Sequence, residues 1–162
     1  MSKKQYQFSY EEYNTAQELS APDAELLKLA QAVTANAYAP YSHFRVGAAA
    51  RLVNGKIVTG TNQENAAFPA GLCAEGVLLA TASSLHPGIA IETIAVSYFN
   101  EAGENDRPIS PCGICRQSLQ EYEQRYSLPI RLILSGLEGP VYIIPRSGSL
   151  LPLAFTADDL SN

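Results

Sequence analysis

The sequence predicts an α/β fold in which a mixed sheet is covered by helices. Strand-like and helical segments alternate from Ala21 onward, the pattern of strands joined by crossover helices. The pair Asn54-Gly55 separates two strand-like segments, and this dipeptide is the strongest short-range hairpin signal. The run "IRLILSG" at 130–136 is almost continuously apolar, as a strand buried on both faces is.

The elements follow in order. Tyr6, Phe8 and Tyr10 alternate with polar residues, a strand-like period in the first 20 residues. Such a segment suits an arm that pairs with a sheet edge or a neighbouring subunit, or equally an ordered but inert extension. Leu26, Leu27, Leu29, Ala30 and Val33 recur at helical spacing over 21–37, with Ser20 as the expected N-cap, Pro22 in the first turn and Pro40 as a stop. "FRVGAAARLV" (44–53) and "KIVTGTN" (56–62) read as paired strands. A helix is expected from about Cys73 to Leu85, stopped by His86-Pro87-Gly88. Strand 91–99, a polar loop at 101–108 and a helix from Cys112 to about Tyr126 follow. Strands at 130–136 and 140–146 and a short helix at 155–160 complete the chain. The expected organisation is an extension at 1–20 and a single catalytic domain at 21–162, with no internal repeat.

The totals narrow the function. The 162 residues suffice for one domain with a proper core, and a composition 46% hydrophobic and 17% charged is that of a globular chain. No apolar run approaches the roughly 20 residues of a membrane span, and the N-terminus lacks the apolar stretch of a secretory signal. These features read as a cytoplasmic protein that does not engage membranes. The formal net charge of −5, with no window concentrating Lys and Arg, argues against a nucleic-acid-tracking surface.

Three cysteines, Cys73, Cys112 and Cys115, make a poor disulfide framework and direct attention to metal binding or catalysis. In "SPCGICRQ" (110–117), Cys112 and Cys115 stand at i, i+3, which puts both sulfurs on one face of a first helical turn. Helix N-termini favour the thiolate that a metal requires. Cys73 opens the other candidate helix, so two helix starts can present three sulfurs to one ion. Three ligands with a fourth position open is the pattern of a catalytic zinc site, where the ion lowers the pKa of water toward about 7. His43 and His86 lie beside neither cysteine motif.

Glu75 then acquires a role. If Cys73 sits at the boundary, before helical geometry sets in, its sulfur and the Glu75 carboxylate reach one site. Glu75 is then no ligand but a proton carrier, as in zinc deaminases, where H-x-E or its cysteine variant precedes P-C-x-x-C. Here the pattern reads Cys73-Ala74-Glu75, then Pro111-Cys112-Gly113-Ile114-Cys115. A redox dithiol would leave Cys73 and Glu75 unexplained, and a closed structural zinc would need a fourth ligand.

With these residues the chain resembles the cytidine deaminase family. The resemblance spans roughly residues 22 to 160 and includes "YAPYSHFRVGAA" (38–49), "GTNQENAAFPAGLCAE" (60–75), "SPCGICRQ" (110–117) and "LLPLAFTADDL" (150–160). It implies a three-layer fold with a mixed five-stranded sheet flanked by helices. It further implies one zinc ion per subunit on Cys73, Cys112 and Cys115, with Glu75 as proton shuttle, and a homotetramer with shared active sites. Asn62 and Glu64 match residues that hydrogen-bond the ribose. Phe44 and Phe155 match aromatics around base and sugar, the latter supplied by a neighbouring subunit. Ala66 and Phe68 match residues that cross into a neighbour's site. The activity implied is hydrolytic deamination of cytidine and deoxycytidine to the uridine product plus ammonia, in pyrimidine salvage. The substrate is a small nucleoside rather than a nucleic acid.

Two positions depart from the family pattern. Gly76 stands where many members carry Arg, which offsets the negative charge of three thiolates on zinc. Arg116 and the two helix N-termini are the expected substitutes. Phe68 stands where Tyr is common. A deaminase of another cytosine compound and a catalytically silent zinc protein are the rival readings. "NQE" and the "LAFTADDL" tail favour a nucleoside, and Glu75 argues against silence.

Overall fold

A computed structural model describes residues 1–160. The chain forms β1 (Glu11–Tyr13), α1 (Ala21–Val33), β2 (Phe44–Leu52), β3 (Ile57–Thr61), α2 (Ala74–Leu85), β4 (Ile91–Asn100), α3 (Gly113–Tyr126), β5 (Arg131–Ser135) and β6 (Val141–Ile144). Short 3-10 turns include Thr34–Asn36, Ser147–Leu150 and Ala157–Leu160. The expected closing helix is thus a single 3-10 turn. Residues 161 and 162, the end of the expected domain, lie outside the described residues.

The strands form one sheet in the order β1-β6-β5-β4-β2-β3. All neighbours are antiparallel except β4 and β5, which are parallel and are joined through α3. The sheet has six strands where five were expected. The sixth is β1, which pairs Glu11 with Ile143 and Tyr13 with Val141 and occupies an otherwise open edge. Main-chain hydrogen bonding satisfies that edge. The alternating residues 6–10 lie just before this strand rather than in it, with Tyr10 packed on Tyr142 at a ring separation of 4.9 Å.

Side chains alternate across the sheet and build two cores. Ala49, Ala95, Ile133 and Ile143 pack against Leu26, Leu27 and Ala30 of α1 on one face. Ala48, Ala50, Ile94, Val96, Leu132 and Leu134 pack on the other face with Leu78 and Leu79 of α2 and Leu119 of α3. The result is three layers, helix, sheet and helices, as each element buries one apolar face. Close approach requires glycine at two positions. A Cβ on Gly47 would collide with the Ala30 carbonyl of α1, and one on Gly60 would lie 2.5 Å from the Leu78 nitrogen of α2. Gly55 turns the β2–β3 hairpin at φ 80°, conformational space open to glycine.

Ser20 occupies the N-cap position of α1, but its hydroxyl caps nothing; its carbonyl accepts from the Asp23 and Ala24 amides instead. Asp23 turns to Arg131 of β5 in a two-pronged pair, both contacts 2.9 Å. Among the described residues, no helix is long and apolar enough to cross a membrane.

Candidate active site

α2 and α3 begin on the same face of the sheet, and their first residues meet. Cys73 is the N-cap of α2 in extended conformation (ψ 153°), and helical geometry starts at Ala74. Cys112 is the N-cap of α3, and its sulfur accepts the Cys115 amide at 3.4 Å. The Cys73 sulfur stands 3.7 Å from that of Cys112, which in turn is 3.2 Å from that of Cys115. All three sulfurs lie within 4.8 Å of one another.

This donor set fits zinc. Sulfurs bound tetrahedrally at about 2.3 Å stand about 3.8 Å apart, close to the Cys73–Cys112 separation. Cys73 and Cys112 are exposed and Cys115 is buried, so the triad is open on one side. The thiols share protons: a hydrogen bond with Cys115 pulls Cys73 down to about 6, and the same bond, together with burial, pushes Cys115 up.

The sulfurs line a cavity of about 370 Å³ together with Glu75, Asn62, Glu64 and Phe68. Glu75 is only 5% exposed, and burial raises its carboxyl above the ordinary range. Cys73 and Glu75 therefore share one chamber despite their spacing at i, i+2, because the helix boundary falls between them.

Asn62 and Glu64 both line this cavity, yet each also holds backbone. The Asn62 side chain accepts from the Val46 amide at 2.7 Å and donates to the Phe44 carbonyl at 2.9 Å, extending the β2–β3 pairing by one residue. The Glu64 carboxylate accepts the Tyr41 amide at 2.9 Å. Phe68 is 77% exposed at the cavity mouth, edge-on to Tyr41. Phe44 stacks on Tyr98 at 4.9 Å and does not line the cavity. Ala66 and Phe155 are exposed and lie outside it.

The remaining lining includes Val46, Leu72, Ile109 and Ser110, none singled out by sequence reasoning. Ser110 could have been found, since it adjoins the Pro111-Cys112 motif. Val46 shares a strand face with Phe44, a weaker signal. Among the described residues, the hydrogen bonds of the Arg116 guanidinium go to carbonyls rather than to the sulfurs. Its guanidinium donates to the Pro111 carbonyl at 2.9 Å and the Leu150 carbonyl at 3.1 Å. It fastens the cysteine loop, while the first-turn amide of Cys115 reaches the Cys112 sulfur.

Comparison with known proteins places this arrangement. The family described as "Cytidine and deoxycytidylate deaminase zinc-binding region" matches residues 20–127. The chain belongs to this deaminase family. The matched stretch, a zinc-binding region by its description, contains all three cysteines and Glu75. A cytidine deaminase of Halalkalibacterium halodurans is 36% identical over 85% of this chain and 96% of its own length. One from Mycobacterium tuberculosis is 39% identical over 78% and 84%. The crystal structure of cytidine deaminase from Burkholderia pseudomallei aligns with a TM-score of 0.71 at 35% identity, covering 85% of this chain and all of that one. Residues 1–19 lie outside the family match.

Proposed function

We propose that the chain catalyses zinc-dependent hydrolytic deamination of cytidine and deoxycytidine, releasing ammonia and the corresponding uridine. The observation that supports this most strongly is one chamber lined by three clustered sulfurs and the buried carboxyl of Glu75. Cys73, Cys112 and Cys115 hold the ion. Bound there, zinc supplies Lewis acidity that makes water a nucleophile at neutral pH.

The chain's own residues do the rest. Glu75 would take protons from the attacking water and pass them first to N3 of the cytosine ring and then to the amine, which leaves as ammonia. Asn62 and Glu64 orient the sugar, with Phe44 behind Asn62 and Phe68 at the mouth. The domain at 21–162 carries this chemistry, and residues 1–20 are an extension to it.

The active unit is a homotetramer in the cytoplasm with sites shared between subunits. Exposed apolar side chains support the assembly: Phe68, Ile114, Leu153, Phe155 and Leu160 all turn largely to the surface. Ala66 and Phe155 lie away from their own chain's cavity, as residues given to a neighbour would.

The test is to measure bound zinc and ammonia release from cytidine by the purified protein. One zinc per chain with conversion of cytidine to uridine is expected. Zinc-loaded protein that leaves both cytidine and deoxycytidine intact overturns the assignment.

A further inference from the structure

We propose that Ser42 is a positioning residue for substrate recognition, whose hydroxyl fixes the Glu64 carboxylate as an acceptor for a sugar hydroxyl. The proposal rests on the reading of Glu64 as a sugar contact and adds the group that aims it.

Three donors from one turn converge on Glu64. Its Oε2 accepts the Tyr41 amide at 2.9 Å and the Ser42 amide at 3.3 Å, and its Oε1 takes the Ser42 hydroxyl in a short contact. The Ser42 hydroxyl is itself oriented, because its oxygen accepts the Phe44 amide at 3.1 Å. Its proton is thereby directed to Glu64.

The turn that supplies these donors is anchored. The Tyr38 amide donates to the Asn62 carbonyl at 3.1 Å, and the Glu64 amide donates to the Tyr38 carbonyl at 2.8 Å. The His43 amide closes back on the Ala39 carbonyl at 3.1 Å, with His43 itself in left-handed conformation at φ 57°. Loop 38–43 and segment 62–64 are therefore tied together by main-chain hydrogen bonds.

The consequence follows from lone pairs. An ionised carboxylate has about four acceptor positions and no donor. Three are filled here, which leaves one on Oε1. The Ser42 hydrogen bond, followed by the Tyr41 amide, holds the carboxyl below its ordinary range, so it stays ionised. Glu64 lines both the cysteine cavity and an adjoining one of about 350 Å³ bordered by Tyr41, Ser42 and Phe68. An aimed acceptor at that junction reads a hydroxyl donor on a ligand that spans toward the sulfurs.

The experiment is a double-mutant cycle between Ser42→Ala and Glu64→Gln in the zinc-loaded enzyme. KM and kcat are measured with cytidine and with 2′,3′-dideoxycytidine, and uridine binding by calorimetry. Ser42→Ala is expected to raise KM for cytidine and weaken uridine binding about fivefold, with kcat held within about twofold. Ser42→Thr restores most of the loss. The penalty vanishes with the dideoxy substrate and in the Glu64→Gln background. Should the alanine chain fail to fold, Ser42→Cys carries the same comparison with a smaller expected penalty. A Ser42 penalty equal on both nucleosides, or undiminished in the Glu64→Gln background, overturns the proposal. So does no penalty when Glu64→Gln alone raises KM. An unchanged KM in Glu64→Gln instead removes the sugar-contact reading on which the proposal stands.

Discussion

The sulfur of Cys73 lies 3.7 Å from that of Cys112, although 39 residues separate them, because each caps the start of a helix on the same face of the sheet. The sulfur cluster is therefore a product of tertiary packing: the start of α2 brings one thiol and the start of α3 two. Replacing the thiolate of Cys73 with an alcohol in Cys73→Ser should weaken zinc binding more than about 100-fold, beyond what loss of a supporting partner alone costs. Competition with a chromophoric chelator measures it. The apo and loaded forms should also differ in melting temperature, since the ion binds only the folded arrangement.

Glu123 ties the end of α3 to the chain that follows. Its carboxylate, nearly enclosed, accepts the Ile130 amide at 3.0 Å, the Ser147 hydroxyl at 2.7 Å and the Arg146 guanidinium at 3.0 Å. Glu123→Ala leaves those donors without an acceptor. Denaturant unfolding should show a loss of about 3 kcal/mol.

Asp23 gives stability a defined dependence on acid. Burial pushes its carboxyl up, but the two-pronged bond from Arg131, with help from the Ser20 side chain and then Arg51, holds it on balance below the usual 3.8. A carboxyl depressed in the folded state stabilises above its unfolded pKa, and that contribution is lost as pH falls through the folded value. The advantage of the natural chain over Asp23→Asn should be constant, at about 2 kcal/mol, from pH 5 to 8. Below about pH 4 it should shrink toward zero. Thermal melts across this range measure it.

Gly76 lies in the first turn of α2, where an added Cβ meets nothing within 4 Å. Its φ is not positive, so no backbone constraint requires glycine there. Gly76→Ala should therefore stabilise the fold by about 0.5–1 kcal/mol, read by denaturant unfolding. Unchanged or reduced stability would show that the position is constrained by something outside the single chain.

Much of this fold is legible in the residues, for identifiable reasons. Asn54-Gly55 names its own turn, and the apolar periods over 21–33 and 130–136 mark the buried faces of α1 and β5. Cys73 and Glu75 can be assigned together because only a helix boundary between them lets both reach one site, and the helix does start at Ala74. What escapes the sequence depends on partners distant along the chain. The strand Glu11–Tyr13 has no apolar alternation and forms because β6 offers an open edge. Val46, Leu72 and Ile109 come from three separate segments, so no local pattern joins them around the cavity. Asn62 matches a ribose contact by resemblance, and only the register of β2 reveals that its side chain also pairs with Phe44 and Val46. The direction of Arg116 is likewise set by Leu150, 34 residues away.

The proton-carrying role proposed for Glu75 is tested most directly by Glu75→Gln, which removes the titrating group and keeps the side chain's shape. Zinc content and ammonia release from cytidine are measured on the same preparation. A chain that retains its zinc while kcat falls by about 10³-fold is the predicted result. A zinc-loaded variant that deaminates cytidine at the natural rate would contradict it.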